Sequence, residues 1–134
     1  MIDCSILVGR KWNYGVNDCW TMIQDYYKLL GISLPDHERP TDLATLTESM
    51  YLERMPQMGF HQIDLNRRRT NDVLIMQIMT QTPMHAAVFL LDERGNEKIL
   101  HNKKDSISSI EQFGLYYRQS TVAVFRYAAE RPIT

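Results

Sequence analysis

The sequence predicts an α+β fold in which N-terminal helices pack on one face of a roughly five-stranded antiparallel sheet. Two observations carry this prediction. Apolar residues recur at helical spacing in residues 1–55, whereas continuous apolar runs of strand length begin at Phe60. No repeat or linker divides the 134 residues, and 44% of them are hydrophobic, which is enough for one buried core. We therefore expect a single domain covering residues 1–134.

The helical segments are predicted over residues 2–8, 19–30 and 41–54. The second is the most clearly patterned, because its apolar residues recur at steps of three and four: Trp20, Ile23, Tyr27 and Leu30. Asp18 is placed to cap the start of this helix, and Gly31 is placed to end it. The third segment has a shorter apolar stripe.

The strands are predicted over residues 60–63, 72–79, 85–91, 98–101 and 121–127. Continuous apolar runs of this length are typical of buried strands. Gly95 and Asn96 form a turn signal, so residues 86–91 and 98–101 should pair as a hairpin. The C-terminal half therefore predicts an antiparallel meander.

Charge and cysteine content exclude several classes of protein. Fifteen basic and 16 acidic residues give a net charge of −1, so we expect no nucleic-acid partner. No apolar run reaches the length of a membrane span, and the N-terminus lacks a signal-peptide pattern, so we expect synthesis in a cytoplasm and no membrane insertion. Two cysteines allow one bridge at most, and the four scattered histidines match no zinc-site spacing, so no structural zinc site is expected.

Cys19 is the first candidate for chemistry because it directly precedes the most clearly patterned helix. A helix N-terminus exposes unpaired N–H groups and a partial positive charge, which favour a thiolate over a thiol. A thiolate is the form in which cysteine acts as a nucleophile. The alternative is that Cys19 is a small buried core residue, as many free cysteines are.

His85 is the natural base for such a nucleophile, since it starts an apolar strand. The alternative is a histidine that merely begins a strand. His101 ends the strand that the Gly95 turn folds back on the His85 strand, so the two imidazoles should lie close together. His101 could then orient His85 through its second ring nitrogen, as the third member of a triad does. Asn102 is the neighbouring candidate for that third role.

Four segments in order resemble those of the NlpC-type cell-wall cysteine peptidases, and most closely the bacteriophage tail-assembly branch of that family. The segments are Tyr14-Gly15-Val16-Asn17-Asp18-Cys19-Trp20, Asn71-Asp72-Val73-Leu74-Ile75-Met76, His85-Ala86-Ala87-Val88-Phe89-Leu90 and Ile99-Leu100-His101-Asn102. An ending with Tyr116-Tyr117-Arg118 and residues 122–127 is also similar. The sequence departs from the family at two places. Trp20-Thr21 stands where Ser-Gly is usual, and Asn71 stands where Gly is usual, although Asn can also adopt a positive φ.

The resemblance implies a papain-like NlpC fold with Cys19 as nucleophile, His85 as general base and His101 as the polar third member. It further implies that the backbone N–H of Cys19 helps to hold the oxyanion, and that Tyr14 and Asp18 bind substrate, although Tyr14 could equally be a packing residue. The implied substrate is a peptidoglycan stem peptide, with no metal or cofactor.

For the whole protein, the resemblance implies a location in the virion tail beside other tail-tip proteins after synthesis in the host cytoplasm. The activity would serve tail assembly or cell-wall penetration during genome entry. The alternative function is a catalytically inactive tail-tip protein that uses the same fold for protein–protein contacts. An acyltransferase or amidase on this fold is a further alternative.

Overall fold

A computed structural model describes residues 1–14, 16–36, 50–78 and 85–127, and the statements below concern these residues. The helices are α1 (Cys19–Leu29), α2 (Met50–Arg54) and α3 (Leu115–Ser120). Single turns of 3-10 helix lie at Ser5–Leu7, Met55–Met58 and Leu65–Arg67. The strands are β1 (Phe60–Ile63), β2 (Val73–Met76), β3 (His85–Leu91), β4 (Glu97–His101), β5 (Ser109–Gln112) and β6 (Thr121–Tyr127).

The described strands form one sheet with the order β1-β6-β2-β3-β4-β5, in which every neighbouring pair is antiparallel. The predicted α+β class is confirmed, but the strand count of roughly five was too low, because the described residues form six. The missed strand is β5, a half-exposed edge strand without an apolar run. The simple meander also needs correction, since β6 returns to lie between β1 and β2.

The predicted helices are found in part. Helix α1 begins at Cys19 as predicted and ends one residue early, at Leu29. The N-terminal segment is only the 3-10 turn Ser5–Leu7, and the third helix is described only as α2 and the 3-10 turn after it, because residues 41–49 lie outside the described residues. Strand β2 spans only Val73–Met76 of the predicted 72–79, and its register with β6 shifts between Ile75 and Met76; residue 79 lies outside the described residues.

Helix α1 has a complete capping box at its start. The Asp18 carboxylate accepts a hydrogen bond from the backbone N–H of Thr21 at 3.0 Å, and the Thr21 hydroxyl accepts one from the backbone N–H of Asp18 at 2.7 Å. Such reciprocal bonds satisfy donors that a helix start otherwise leaves unpaired. The position of Cys19 as the first helical residue is therefore set by its immediate neighbours.

The core lies on both faces of the sheet. On one face α1 packs against β3, and Trp20, Ile23 and Tyr27 are buried among alternate residues of the central strands. On the opposite face a second cluster contains Phe89 and Phe113, with Tyr117 of α3 packed against it. The prediction of helices on one face thus holds for α1, whereas α3 covers the other face.

The loop before β2 is tied to α1 and to β6 by polar contacts. Asn71 has φ 79°, the positive φ that its side chain was expected to tolerate, and its side-chain and backbone carbonyls accept hydrogen bonds from Tyr26 and Tyr27. Asp72, only 3% exposed, accepts two hydrogen bonds of 2.9 Å from Arg126. These contacts hold α1 and β6 in place around β2.

Candidate active site

Cys19 is partly exposed, and its Sγ lies 2.7 Å from the hydroxyl oxygen of Tyr51. Tyr51 belongs to α2 and is only 1% exposed. The sequence analysis did not find Tyr51, because the contact joins residues 32 positions apart and depends on how α2 packs over α1. The candidate nucleophile therefore has a buried hydroxyl as a direct neighbour.

Cys4, the second cysteine, differs from Cys19 in its exposure and in its surroundings. It is 1% exposed and packs in the core beneath α1, and both cysteines are free thiols, so the single bridge that the sequence allowed is not formed. Burial raises the pKa of the Cys4 thiol, and the charge of Asp3 raises it further. Cys4 is therefore a packing residue, as free cysteines commonly are.

His85 and His101 are hydrogen-bonded to each other, which confirms the expected proximity of the two imidazoles. The distance from His85 Nε2 to His101 Nδ1 is 2.9 Å. The geometry follows from the hairpin register: His101 pairs with Ala87, so His85 lies two residues along β3 on the same face. Because β3 and α1 pack together, the strand that starts with His85 lies against the helix that starts with Cys19.

Asn102, the other candidate for the third position, has a different role in the structure. It is fully buried, and its Nδ2 donates a hydrogen bond of 3.0 Å to the backbone carbonyl of Asn17. This bond ties the end of β4 to the loop that leads into Cys19. His101, and not Asn102, is the residue bonded to His85.

Glu111 on β5 is a further member of the site that the sequence analysis missed. Its Oε2 is hydrogen-bonded to Nε2 of His101, so His101 bridges His85 and Glu111. The Tyr117 hydroxyl lies 3.1 Å from Oε1 of Glu111, and Lys103 Nζ donates to the same hydroxyl at 3.2 Å. An apolar strand pattern at residues 109–112 would have predicted the strand that carries Glu111, but only Ile110 is apolar among these four residues.

Burial sets the charge state of the two histidines. It lowers the pKa of His85 well below the ordinary 6.5, and the positive charge of Lys103 lowers it further against the opposing effect of Glu111. Burial also lowers the pKa of His101, although its hydrogen bond with Glu111 acts in the opposite direction. Both imidazoles are therefore neutral at pH 7, which is the form that can accept a proton.

Tyr14 and Asp18, the predicted substrate-binding residues, lie on the loop before Cys19. The Asp18 side chain is 3% exposed and caps α1, while the Tyr14 ring stacks on Trp12 with centroids 6.0 Å apart. Both residues thus have structural contacts, and their part in substrate binding stays a prediction. Trp20, one of the two departures after the cysteine, is fully buried in the core.

Neither a metal-binding cluster nor a membrane-spanning helix occurs within residues 1–14, 16–36, 50–78 and 85–127. No group of three or more Cys, His, Asp or Glu side chains in these ranges is placed to hold a metal ion. Among the same residues, no helix has the length and apolar character needed to cross a membrane.

A cysteine that opens a helix, packed on an antiparallel sheet with a hydrogen-bonded histidine pair, defines a papain-like α+β domain. The sequence model of the NlpC/P60 family matches residues 9–126. The chain belongs to the NlpC/P60 family.

Two curated relatives come from bacteriophages. The chain is 30% identical over 125 residues to the tail tip assembly protein K of Escherichia phage lambda, and 27% identical over 124 residues to that of Escherichia phage N15. These alignments cover 93% and 90% of this chain but only 61% and 49% of the relatives. The chain thus spans about half to three fifths of the length of these relatives.

A solved structure shows the same fold. It is a Staphylococcus aureus Mu50 protein of the NLP/P60 family, described as similar to lipoprotein, which superposes with a TM-score of 0.62 at 18% identity. The match covers 93% of this chain and 39% of that one. At this identity the likeness concerns the fold alone.

Proposed function

We propose that this chain is a cysteine endopeptidase domain of a phage tail-tip protein and that it cleaves peptidoglycan stem peptides during tail assembly or genome entry. The observation that carries the peptidase proposal is the packing of α1, which begins at Cys19, against the strand that begins at His85, whose imidazole is hydrogen-bonded to that of His101. Family membership supports the chemistry. The names of the two phage relatives support the virion tail location and neighbouring tail proteins as partners.

In the proposed acylation step, Cys19 is the nucleophile and His85 is the base. His85 takes the thiol proton as Sγ attacks the scissile carbonyl carbon, and the carbonyl becomes an oxyanion. The backbone N–H of Cys19 belongs to the first turn of α1, where the helix dipole favours negative charge, and it stabilises this oxyanion. Collapse of the intermediate breaks the C–N bond, and His85 returns the proton to the leaving amine.

In the deacylation step, His85 takes a proton from water, whose oxygen attacks the thioester carbon. The C–S bond then breaks, His85 returns the proton to Sγ, and the product leaves as a carboxylic acid. His101 is proposed as the residue that orients His85 in both steps, because it is hydrogen-bonded to Nε2 of the His85 ring. Tyr14 and Asp18 are the proposed substrate-binding residues.

The test is digestion of purified peptidoglycan by the chain as it exists, with released fragments identified by mass spectrometry. Cys19→Ala should reduce cleavage to background, whereas Cys4→Ala, the same substitution at the buried thiol, should retain it. Circular dichroism checks that both variants are folded. Cleavage by Cys19→Ala at the wild-type rate would show that the assigned nucleophile is wrong.

A second candidate is an inactive tail-tip protein that uses this fold for protein contacts. It is favoured by one observation: Trp20, which stands where Ser is usual in the family, is fully buried in the core. Iodoacetamide labelling of the folded protein at neutral pH separates the two functions. Much faster labelling of Cys19 than of Cys4 supports the peptidase, and equally slow labelling supports the structural role.

A further inference from the structure

The hydrogen bonds of Glu111 determine where the ring protons of the histidine pair lie. A carboxylate can only accept hydrogen bonds. Burial raises the pKa of the Glu111 carboxyl, but the hydrogen bond from His101, the charge of Lys103 and the hydrogen bond from Tyr117 lower it overall, so this group is ionised at pH 7. His101 Nε2 must therefore carry the proton that it shares with Glu111 Oε2.

The tautomer of His101 then sets that of His85. Because burial keeps His101 neutral and Nε2 holds its one ring proton, Nδ1 of His101 is an acceptor. His85 Nε2, 2.9 Å away, must donate to it and so carries the ring proton of His85. Nδ1 of a neutral His85 is thereby left with a free electron pair.

Glu111 is itself held in place by neighbours that donate to it. The Tyr117 hydroxyl lies within 3.2 Å of both carboxylate oxygens, and the Ser109 hydroxyl donates to Oε2 at 3.2 Å. Lys103 Nζ lies 3.8 Å from Oε2 and donates to the Tyr117 hydroxyl. None of these groups competes with Glu111 as an acceptor for the His101 proton.

We propose that Glu111 is a positioning residue that extends the histidine pair to a chain of three, fixes the tautomers of His101 and His85, and keeps His85 Nδ1 as the basic nitrogen. The catalytic meaning of this inference rests on the proposed peptidase function. The tautomers themselves exist without substrate, so they can be measured whether or not the chain cleaves peptidoglycan.

The primary test is ¹⁵N NMR of the imidazole nitrogens at pH 7, assigned with His85→Gln and His101→Gln. The wild-type protein should show the proton on Nε2 of both rings. Glu111→Gln should disturb this state, because an amide N–H turned to His101 favours the reversed chain of tautomers with protons on both Nδ1 atoms. Glu93→Gln, an exposed residue in the β3–β4 turn, has the same charge change and should leave both tautomers unchanged.

A second readout applies to the active chain. Glu111→Gln should lower kcat for peptidoglycan cleavage about 10- to 100-fold with little change in KM, since it acts on the base and not on substrate contacts. Glu111→Asp, which keeps a carboxylate, should recover part of the activity and the wild-type tautomers. Glu93→Gln should retain wild-type kcat.

The two proposals fail in different ways. If the Glu111→Gln variant keeps the wild-type tautomers at both histidines, the proposed role of Glu111 is wrong, whatever the activity of the variant. A wild-type kcat in the same variant would also overturn that role. A wild-type chain that has the expected tautomers but cleaves nothing would instead overturn the peptidase function and leave the tautomer assignment supported.

Discussion

The ion pair between Asp72 and Arg126 is the contact whose removal gives the clearest prediction about stability. The Asp72 side chain, directly before β2, is 3% exposed, and Arg126 on β6 donates two hydrogen bonds of 2.9 Å to its carboxylate. Arg126→Met removes the guanidinium and keeps an apolar side chain of similar length. The carboxylate then remains buried without its cationic partner.

The expected cost follows from burial. Removing one partner of a fully buried ion pair costs about 3–5 kcal/mol. Arg126 is 25% exposed, so water reaches part of this site, and Asp72 keeps a 2.7 Å hydrogen bond from the backbone N–H of Arg69. We therefore expect Arg126→Met to lower the free energy of unfolding by about 2–3 kcal/mol. Adding Asp72→Asn to the Arg126→Met variant removes the unpaired buried charge and should restore about 1 kcal/mol or more of the lost free energy of unfolding.

Urea unfolding followed by circular dichroism at pH 7 measures these free energies. The control is Arg118→Met, because that guanidinium is 48% exposed and lies 3.4 Å from Glu97. Such an exposed pair contributes at most about 1 kcal/mol. The reasoning fails if Arg126→Met is no more destabilising than Arg118→Met, or if adding Asp72→Asn to Arg126→Met restores nothing.

Three further predictions follow from the site and its surroundings. His85 and His101 have pKa values lowered from 6.5 in the folded state, so the unfolded chain binds more protons below that pH. The free energy of unfolding should therefore be at its full value above pH 6.5, and at lower pH it should decrease by up to about 1.4 kcal/mol per pH unit for each histidine. Urea unfolding at pH 7 and at pH 5 measures this decrease, and equal stability at the two pH values would contradict it. Tyr51→Phe removes the hydroxyl that lies 2.7 Å from Cys19 Sγ. Because a hydrogen bond from this hydroxyl stabilises the thiolate, the substitution should slow iodoacetamide labelling of Cys19 about tenfold at pH 7. An unchanged or faster labelling rate would contradict this prediction. Asn71→Ala should lower the free energy of unfolding by about 2–4 kcal/mol, because it strains the backbone at φ 79° and leaves the buried Tyr26 hydroxyl without its acceptor. Thermal or urea unfolding measures this loss. Asn71→Gly relieves the backbone strain and should cost less, so equal losses in the two variants would exclude that strain as a cause.

Much of the site could be predicted because local signals position it. Helix α1 starts where Asp18 caps it, and the hairpin loop with Gly95 at φ 81° brings β3 and β4 into the register that pairs the two histidines. Both are short-range effects, in which neighbouring residues in the sequence set the backbone. The nucleophile candidate and the histidine pair therefore follow from periodicity, capping and one turn.

The parts that were missed lie where tertiary contacts decide. Strand β5 is half-exposed with a single apolar residue, so its strand conformation depends on hydrogen bonding to the edge of β4. Glu111 was missed with it. Tyr51 reaches Cys19 only because α2 packs over the start of α1, and no short-range pattern encodes that approach.

The sequence by itself determined the fold class, the capped helix that begins at Cys19 and the hairpin that carries His85 and His101, because each depends on residues close together in the chain. Only the tertiary structure decided which groups surround them: Tyr51 at the thiol, and Glu111 behind the histidine pair. The physical reason is that hydrogen bonds between side chains require distances and angles that spacing in a sequence does not specify. Those bonds assign the protons on the two imidazoles, and through them the nitrogen that can act as a base.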